Sequence, residues 1–146
     1  MSLTTPEDIT LNAGADILWG SLNTEGLKSH LDEILAFMDT KDLSFLVLSE
    51  TWLRPRQIFS NPAIVWDIRG TGGIIVVRNT KITTAQDFNC LEVDHTDQAY
   101  IWFRFRSIIV GGFYLSPQMP LEICTYKILT ADNYIQRFGR SSQVLL

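Results

Sequence analysis

Histidine and cysteine are scarce in this sequence, which restricts the metal and redox chemistry that it can support. The 146 residues include two histidines and two cysteines. Cys90 and Cys124 stand far apart, and neither belongs to a Cys-x-x-Cys pair. Their spacing therefore indicates neither a zinc site nor a disulfide framework. We expect both side chains to remain reduced thiols.

Excess positive charge and long apolar runs are also missing. The formal net charge is −4, so any contact with nucleic acid requires a local basic patch rather than a global attraction. No apolar run approaches the roughly 18 residues of a transmembrane helix. The N-terminus also lacks the basic start and apolar stretch of a secretory signal. We therefore expect a soluble, intracellular protein without membrane contacts.

The composition itself is that of a globular protein. Hydrophobic residues make up 46% of the chain and charged residues 19%, which is enough apolar surface for a well-formed core. A chain of this length is expected to form one domain. We predict a polar leader over residues 1–15 and one domain over residues 16–146.

Hydrophobic periodicity predicts two helices and several strands. The first helical stripe joins Leu27, Leu31, Ile34, Leu35 and Met38, and the second runs over 121–138. The unbroken apolar run at 45–48 is typical of a strand that is covered on both faces. Further strands are predicted at 16–22, 64–68, 74–78, 82–88, 100–106 and 107–117, with another beginning at 143.

These elements predict a layered α+β or α/β domain with a mostly antiparallel middle. In the strand at 100–106, alternation places Ile101, Phe103 and Phe105 on one face and predicts a half-exposed strand. The segment that follows it is the expected antiparallel partner. The order of strands in the sheet does not follow from the sequence.

Three polar residues lie at the ends of three predicted strands. Asn23 sits where a strand meets a helix, which suits either a ligand contact or an ordinary turn or cap. Glu50 follows the most apolar strand, where an unpaired carboxylate is costly unless it lies at the rim or meets a cation such as Mg²⁺. Tyr114 can reach a phosphate with its hydroxyl or simply pack in the core. Grouped at one sheet edge, the three could form a site.

The motifs around these residues resemble those of the endonuclease/exonuclease/phosphatase family, which includes deoxyribonuclease I. The segments are LNTEGL at 22–27, LSETWL at 48–53 and GGFYLSP at 111–117. The Glu-Thr-Trp-Leu form most resembles the endonuclease domains of non-LTR retrotransposons. The segment GGIIVVRN also looks like a strand of that family.

The resemblance implies an α+β sandwich fold and a Mg²⁺- or Mn²⁺-dependent phosphodiesterase that nicks DNA. It assigns Asn23 to orienting water and phosphate, Glu50 to the metal ion, and Tyr114 to a hydrogen bond with the phosphate. A metal ion and neutral donors would then stabilise the charge that develops on the phosphate. A retroelement product of this kind would be expected in the nucleus.

The sequence departs from the family pattern at its C-terminal end. The family's Gly-Asp-Phe-Asn and Ser-Asp-His motifs do not occur, so the chain looks like the N-terminal half of the domain. We expect weak metal binding and little or no nicking by this chain alone, since the water-activating pair is missing. The alternative is a non-catalytic binding or structural remnant. Half a sandwich would expose the inner face of a sheet, which a homodimer could cover.

Other candidate residues have simpler explanations. His95 lies in an Asp-His pair that resembles the missing motif, but the polar residues around it favour a solvated hairpin. His30 is expected on the polar face of the first helix. The GTGG segment at 70–73 is typical of a hairpin turn rather than a phosphate loop. Four arginines could form a DNA-backbone surface or simply a solvated strand face: Arg54, Arg56, Arg104 and Arg106.

Overall fold

The described part of the chain forms two β-sheets and one α-helix. The computed structural model describes residues 9–14, 17–27, 30–54, 56–69, 72–94, 100–114 and 142–145. The elements are β1 (Ile9–Gly14), β2 (Ile17–Asn23), α1 (Leu31–Thr40), β3 (Phe45–Ser49), β4 (Ile64–Ile68), β5 (Ile74–Arg78), β6 (Phe88–Asp94), β7 (Tyr100–Phe105), β8 (Ile108–Phe113) and β9 (Ser142–Leu145). The predicted α+β class is confirmed.

The first sheet has the order β1-β2-β3-β5-β4, so β3 is its central strand. Strands β2 and β3 run parallel, because α1 crosses over between them, and the other neighbours are antiparallel. All residues of β3 from Phe45 to Leu48 are buried. This agrees with the prediction of a strand covered on both faces.

The second sheet has the order β6-β7-β8-β9. Its first three strands are antiparallel neighbours, and β9 runs parallel to β8. Two glycines of β8 allow close packing: a Cβ on Gly111 would lie 2.7 Å from the Trp102 ring, and a Cβ on Gly112 would lie 3.0 Å from Val47 of the first sheet. The glycine pair therefore serves packing within and between the sheets.

The two sheets pack face to face around an aromatic core. Phe45 of the first sheet contacts Phe88, Phe103 and Phe105 of the second, with ring centroids 5.9, 5.4 and 5.0 Å away. All four of these rings are buried. The expectation of an exposed inner sheet face is wrong for the described residues, because each sheet covers the other. The physical reason for expecting a homodimer is lost with it.

Helix α1 covers the opposite face of the first sheet. Its buried residues Leu31, Ile34 and Met38 share a core with Leu46 and Leu48 of β3. The helix begins at Leu31, one turn later than the predicted stripe, although Leu27 is buried in the same core. The spacing of buried residues extends back to Leu27, before the first residue of the regular helix, so the predicted helix begins one turn too early.

The C-terminus of α1 is closed by two backbone bonds. The N–H of Leu43 donates to Met38 O at 3.0 Å, and the N–H of Asp42 donates to Asp39 O at 3.2 Å. This is a Schellman arrangement, which requires a left-handed residue in the position that glycine usually fills. Asp42 occupies it with φ 55°.

Several elements differ from the predictions. Strand β1 lies within the segment predicted as a leader and pairs with β2. Residues Ala85–Asp87 form a 3₁₀ turn, so the strand predicted at 82–88 is wrong and β6 begins only at Phe88. Trp102 is buried against Ile109 and Phe113 rather than half-exposed.

The helix predicted at 121–138 lies outside the described residues. Within them, no helix is long and apolar enough to cross a membrane.

Candidate functional site

The candidate site lies at the edge of the first sheet where β2 and β3 end together. Because the two strands are parallel and in register, Asn23 is the partner of Ser49, and Glu50 follows immediately. Neighbouring strands lie about 5 Å apart. The predicted grouping of Asn23 and Glu50 at one edge therefore follows from the strand pairing.

Backbone hydrogen bonds join the two loops that leave this edge. The N–H groups of Thr24, Gly26 and Leu27 donate to the carbonyls of Ser49, Glu50 and Thr51 at 2.9, 2.8 and 3.1 Å. The buried Thr24 hydroxyl adds a bond to Ser49 O at 2.9 Å. The loops are thus held together much like two further strands, which fixes the backbone that carries Glu50.

The loop after β3 contains two residues in the left-handed region of backbone space. Glu50 has φ 52° and Trp52 has φ 54°. This conformation costs an L-residue on the order of 1–2 kcal/mol. Strain of this kind is concentrated at functional sites, where the surrounding structure holds it. Between the two, Thr51 is buried, whereas Trp52 is exposed and Glu50 is half-buried.

Two glycines form the facing wall of the site. Gly72 and Gly73 both have φ 81°, which favours glycine. The N–H of Trp52 donates to Gly72 O at 3.1 Å, and a Cβ on Gly73 would lie 2.3 Å from Thr51 Oγ1. A Cβ on Gly72 would lie 2.5 Å from the Tyr114 ring. Only glycine therefore allows the loop after β3, this turn and Tyr114 to meet.

Tyr114 and Glu50 are in direct contact. The Tyr114 hydroxyl donates a hydrogen bond to Glu50 Oε1 across 64 residues of sequence. Because Tyr114 follows β8 and Glu50 follows β3, this bond joins the ends of the two sheets. Both residues are half-buried. The bond occupies one carboxylate oxygen, and a carboxylate has a second oxygen with further acceptor capacity.

Asn23 is held differently from the other two candidates. Its side-chain oxygen accepts a hydrogen bond from the N–H of Glu25 at 3.2 Å, and the residue is exposed. This is an Asx turn, the local role that asparagine often has after a strand. The structure therefore places Asn23 at the same edge as Glu50, in a conformation that its own loop stabilises.

The carboxylates available for a metal ion are few in this part of the molecule. Among the described residues, no group of three or more His, Cys, Asp or Glu side chains could hold an ion. Mg²⁺ is commonly bound through one or two carboxylates together with water and substrate phosphates. Glu50 fits that pattern as a single protein ligand, which suits weak binding completed by a bound phosphate.

The remaining candidates from the sequence are arginines and His95. Arg54 and Arg56 are exposed on the segment that follows Glu50. Arg106 instead pairs with Asp87, Nε to Oδ1 at 3.5 Å, and its guanidinium lies over the Phe105 ring at 4.9 Å. The N–H of Thr84, and to a smaller extent Arg106, lower the pKa of Asp87. Arg106 therefore has a structural role. His95 lies outside the described residues.

Sequence reasoning missed the residues that support the site. Thr24 and Thr51 are buried polar side chains, and Gly72 and Gly73 provide the facing wall. The Gly-Gly pair was visible in the sequence, but only as a turn signal. Trp52, which lies against Gly26 and is 60% exposed, was also overlooked. An exposed tryptophan gives no periodic signal, so its position became apparent only in the structure.

Comparisons with known proteins support the fold. Among solved structures, 44 chains match. One is the endonuclease domain of TRAS1, a telomere-specific non-LTR retrotransposon, with a TM-score of 0.52 and 15% sequence identity. The match covers 85% of this chain and 56% of that one, so the chain spans about half the length of the structure that it matches. No family model and no curated protein match the chain.

Proposed function

We propose that this chain carries part of a metal-dependent phosphodiesterase site related to the DNA-nicking endonucleases of non-LTR retrotransposons. The observation that carries the proposal is the Tyr114–Glu50 hydrogen bond, which joins the end of β8 to the end of β3. It joins residues that the motif resemblance had assigned to one pocket. The likeness to a retrotransposon endonuclease domain supports the proposal at the level of the fold.

In this proposal each of the three residues has a distinct role. Glu50 would hold a Mg²⁺ or Mn²⁺ ion, which when bound supplies charge stabilisation to the phosphate. Tyr114 would orient the Glu50 carboxylate in the free protein and donate its hydroxyl to a phosphate oxygen when substrate binds. Asn23 would present its amide nitrogen at the same edge, because its oxygen is already engaged with Glu25. Neutral donors placed in advance stabilise developing charge effectively.

The proposed activity is weak. Neither Asn23 nor Tyr114 is a strong general base, and the Glu50 carboxylate would be engaged with the metal ion. Loss of a general base commonly reduces a rate by about 10²–10⁴-fold. This supports a second candidate function of another class, a nucleic-acid-binding module without catalysis. The self-associating form of that alternative is less favoured, because the inner sheet faces are buried.

Nicking of supercoiled plasmid DNA in Mg²⁺ or Mn²⁺ tests the proposal. We expect slow, metal-dependent nicking that Glu50→Gln abolishes, because the amide cannot replace a charged metal ligand. Glu92→Gln is the matched control, since Glu92 is exposed on β6 and should not matter. Equal rates for the wild type and Glu50→Gln would refute the proposed site. DNA binding without nicking would favour the non-catalytic alternative.

A further inference from the structure

The segment after β3 presents its side chains alternately to the core and to solvent. Thr51 and Leu53 are buried, whereas Trp52, Arg54 and Arg56 are exposed and Glu50 is half-buried. The exposed set therefore places an aromatic ring and two cations directly after the candidate metal ligand. No acidic residue occurs between Trp52 and Ser60.

Trp52 combines an exposed side chain with a strained backbone. The residue is 60% exposed although tryptophan has a large apolar surface. Its φ of 54° is costly for a bulky side chain. A hydrogen bond from its N–H to Gly72 O at 3.1 Å holds this conformation. Packing alone does not account for a strained backbone that leaves most of an indole in water.

The loop after Asn23 supports the ring from one side. A Cβ on Gly26 would lie 3.0 Å from Trp52 Cε3, so the indole rests against the backbone of this glycine. Gly26 has φ 100°, a conformation that favours glycine. Trp52 thus belongs to the loop that carries Glu50, its ring lies against the loop that follows Asn23, and 60% of its surface is exposed.

The next residues of the segment are also held in place. Arg69 donates from Nη1 to the carbonyl of Arg54, and it is itself fixed to Asp67 by bonds of 3.0 and 2.8 Å. The Arg54 N–H donates to Gln57 Oε1 at 3.2 Å, and the Gln57 N–H returns a bond to Arg54 O at 3.0 Å. The backbone of Arg54 is therefore positioned while its side chain extends into solvent.

We infer that Trp52 is a stacking platform for an unpaired nucleobase next to the phosphate at the Glu50 site, with Arg54 contacting the neighbouring backbone phosphate. The inference rests on the proposed function, and it adds that the protein recognises an unpaired base next to the phosphate. Aromatic side chains next to arginines are the combination that binds single-stranded nucleic acid. Every base has a π-face, so an exposed ring beside the proposed phosphate site would stack with a base of any sequence.

Binding of fluorescein-labelled oligothymidylate, followed by anisotropy in metal-free buffer, tests the inference with the full chain. We expect Trp52→Ala to weaken binding by about 5- to 150-fold, the effect of losing one stacked base. Trp52→Phe should retain most of the affinity. Ile58→Ala is the matched control, because Ile58 is 94% exposed on the same segment. An oligonucleotide with abasic positions should bind the wild type as weakly as it binds Trp52→Ala.

The salt dependence separates stacking from charge. Arg54→Gln should reduce the slope of log affinity against log salt by about 0.7, whereas Trp52→Ala should leave the slope unchanged. Equal binding by the wild type and Trp52→Ala would overturn the inference, as would an equal loss on fully paired duplex DNA. If Trp52→Ala weakens binding but the wild type does not nick, stacking stands and the proposed reaction fails. If the wild type nicks DNA but Trp52→Ala binds the oligonucleotide as tightly as the wild type does, the proposed reaction stands and the stacking inference fails.

Discussion

The bond between Tyr114 and Glu50 can be tested through its contribution to stability. A hydrogen bond to a charged group contributes about 1.5–3 kcal/mol, and the half-buried position of both residues favours the lower end of that range. We therefore expect a coupling free energy of about 1.5 kcal/mol between Glu50→Ala and Tyr114→Phe. Alanine is used because a glutamine oxygen would still accept the bond.

The measurement is a double-mutant cycle on the free energy of unfolding in urea, with a chelator present to remove metal ions. Wild type, both single variants and the double variant are compared under the same conditions. Independent sites are additive within about 0.3–0.5 kcal/mol. Coupling below that limit would refute the contact between the two side chains and, with it, the convergence of the two sheet ends at one site.

The same position tests the backbone strain. At φ 52°, glycine avoids the cost that alanine bears, so Glu50→Gly should be more stable than Glu50→Ala by about 1 kcal/mol. At Ala36, an exposed position in the middle of α1, the order should reverse, with Ala36→Gly less stable than the wild type by about 1 kcal/mol. If alanine is the more stable residue at both positions, the left-handed conformation of Glu50 is wrong.

Three further predictions concern the residues around the site and the elements that support it. Asp42→Gly should raise the free energy of unfolding in urea by about 1 kcal/mol, because Asp42 occupies the left-handed position after α1; no gain would contradict the helix ending. Gly72→Ala should displace the Tyr114 ring and remove its coupling with Glu50 in the same cycle, whereas coupling that survives would show that the turn does not position Tyr114. Asp87→Asn should destabilise the protein at neutral pH and lose its effect in acid. The pKa of Asp87 is lowered in the folded protein, so its contribution is present above the ordinary pKa of 3.8 and is lost as the pH falls further, through the lowered pKa of the folded state. A difference between the two proteins that stays constant from pH 7 to about pH 2 would exclude this role.

Strands bounded by clear turn signals could be predicted closely. The bounds of β4 and β5 agree with the prediction, because each is a short apolar run between polar or glycine-rich segments. The prediction of a strand at 82–88 was wrong because the Asp87 carboxylate accepts a hydrogen bond from the Thr84 N–H at 2.9 Å. Such local bonds compete with strand pairing, and hydrophobicity does not reveal them. Strand β1 was missed because its pattern is short and interrupted by Asn12.

The candidate site was predictable in its parts but not in its assembly. Glu50 and Tyr114 could each be placed after an apolar strand, and the pairing of β2 with β3 brings Asn23 to the same edge. Glu50 and Tyr114 follow strands of different sheets. These sheets meet through the packing of two faces, and hydrophobic periodicity does not encode that packing. The glycines that let Tyr114 approach depend on that packing too. Local sequence therefore singled out the candidate residues, and long-range packing determined the contact between Glu50 and Tyr114.

Strand β4 has a consequence for how this molecule behaves at high concentration. It is one of the two outer strands of the first sheet among the described residues, so its free side could accept a strand from another copy. The register shift between Ile64 and Trp66 bends it away from regular pairing. The ion pair of Asp67 with Arg69 adds charge at its end. Both features discourage edge-to-edge aggregation, and a substitution that straightened this strand would be expected to promote it.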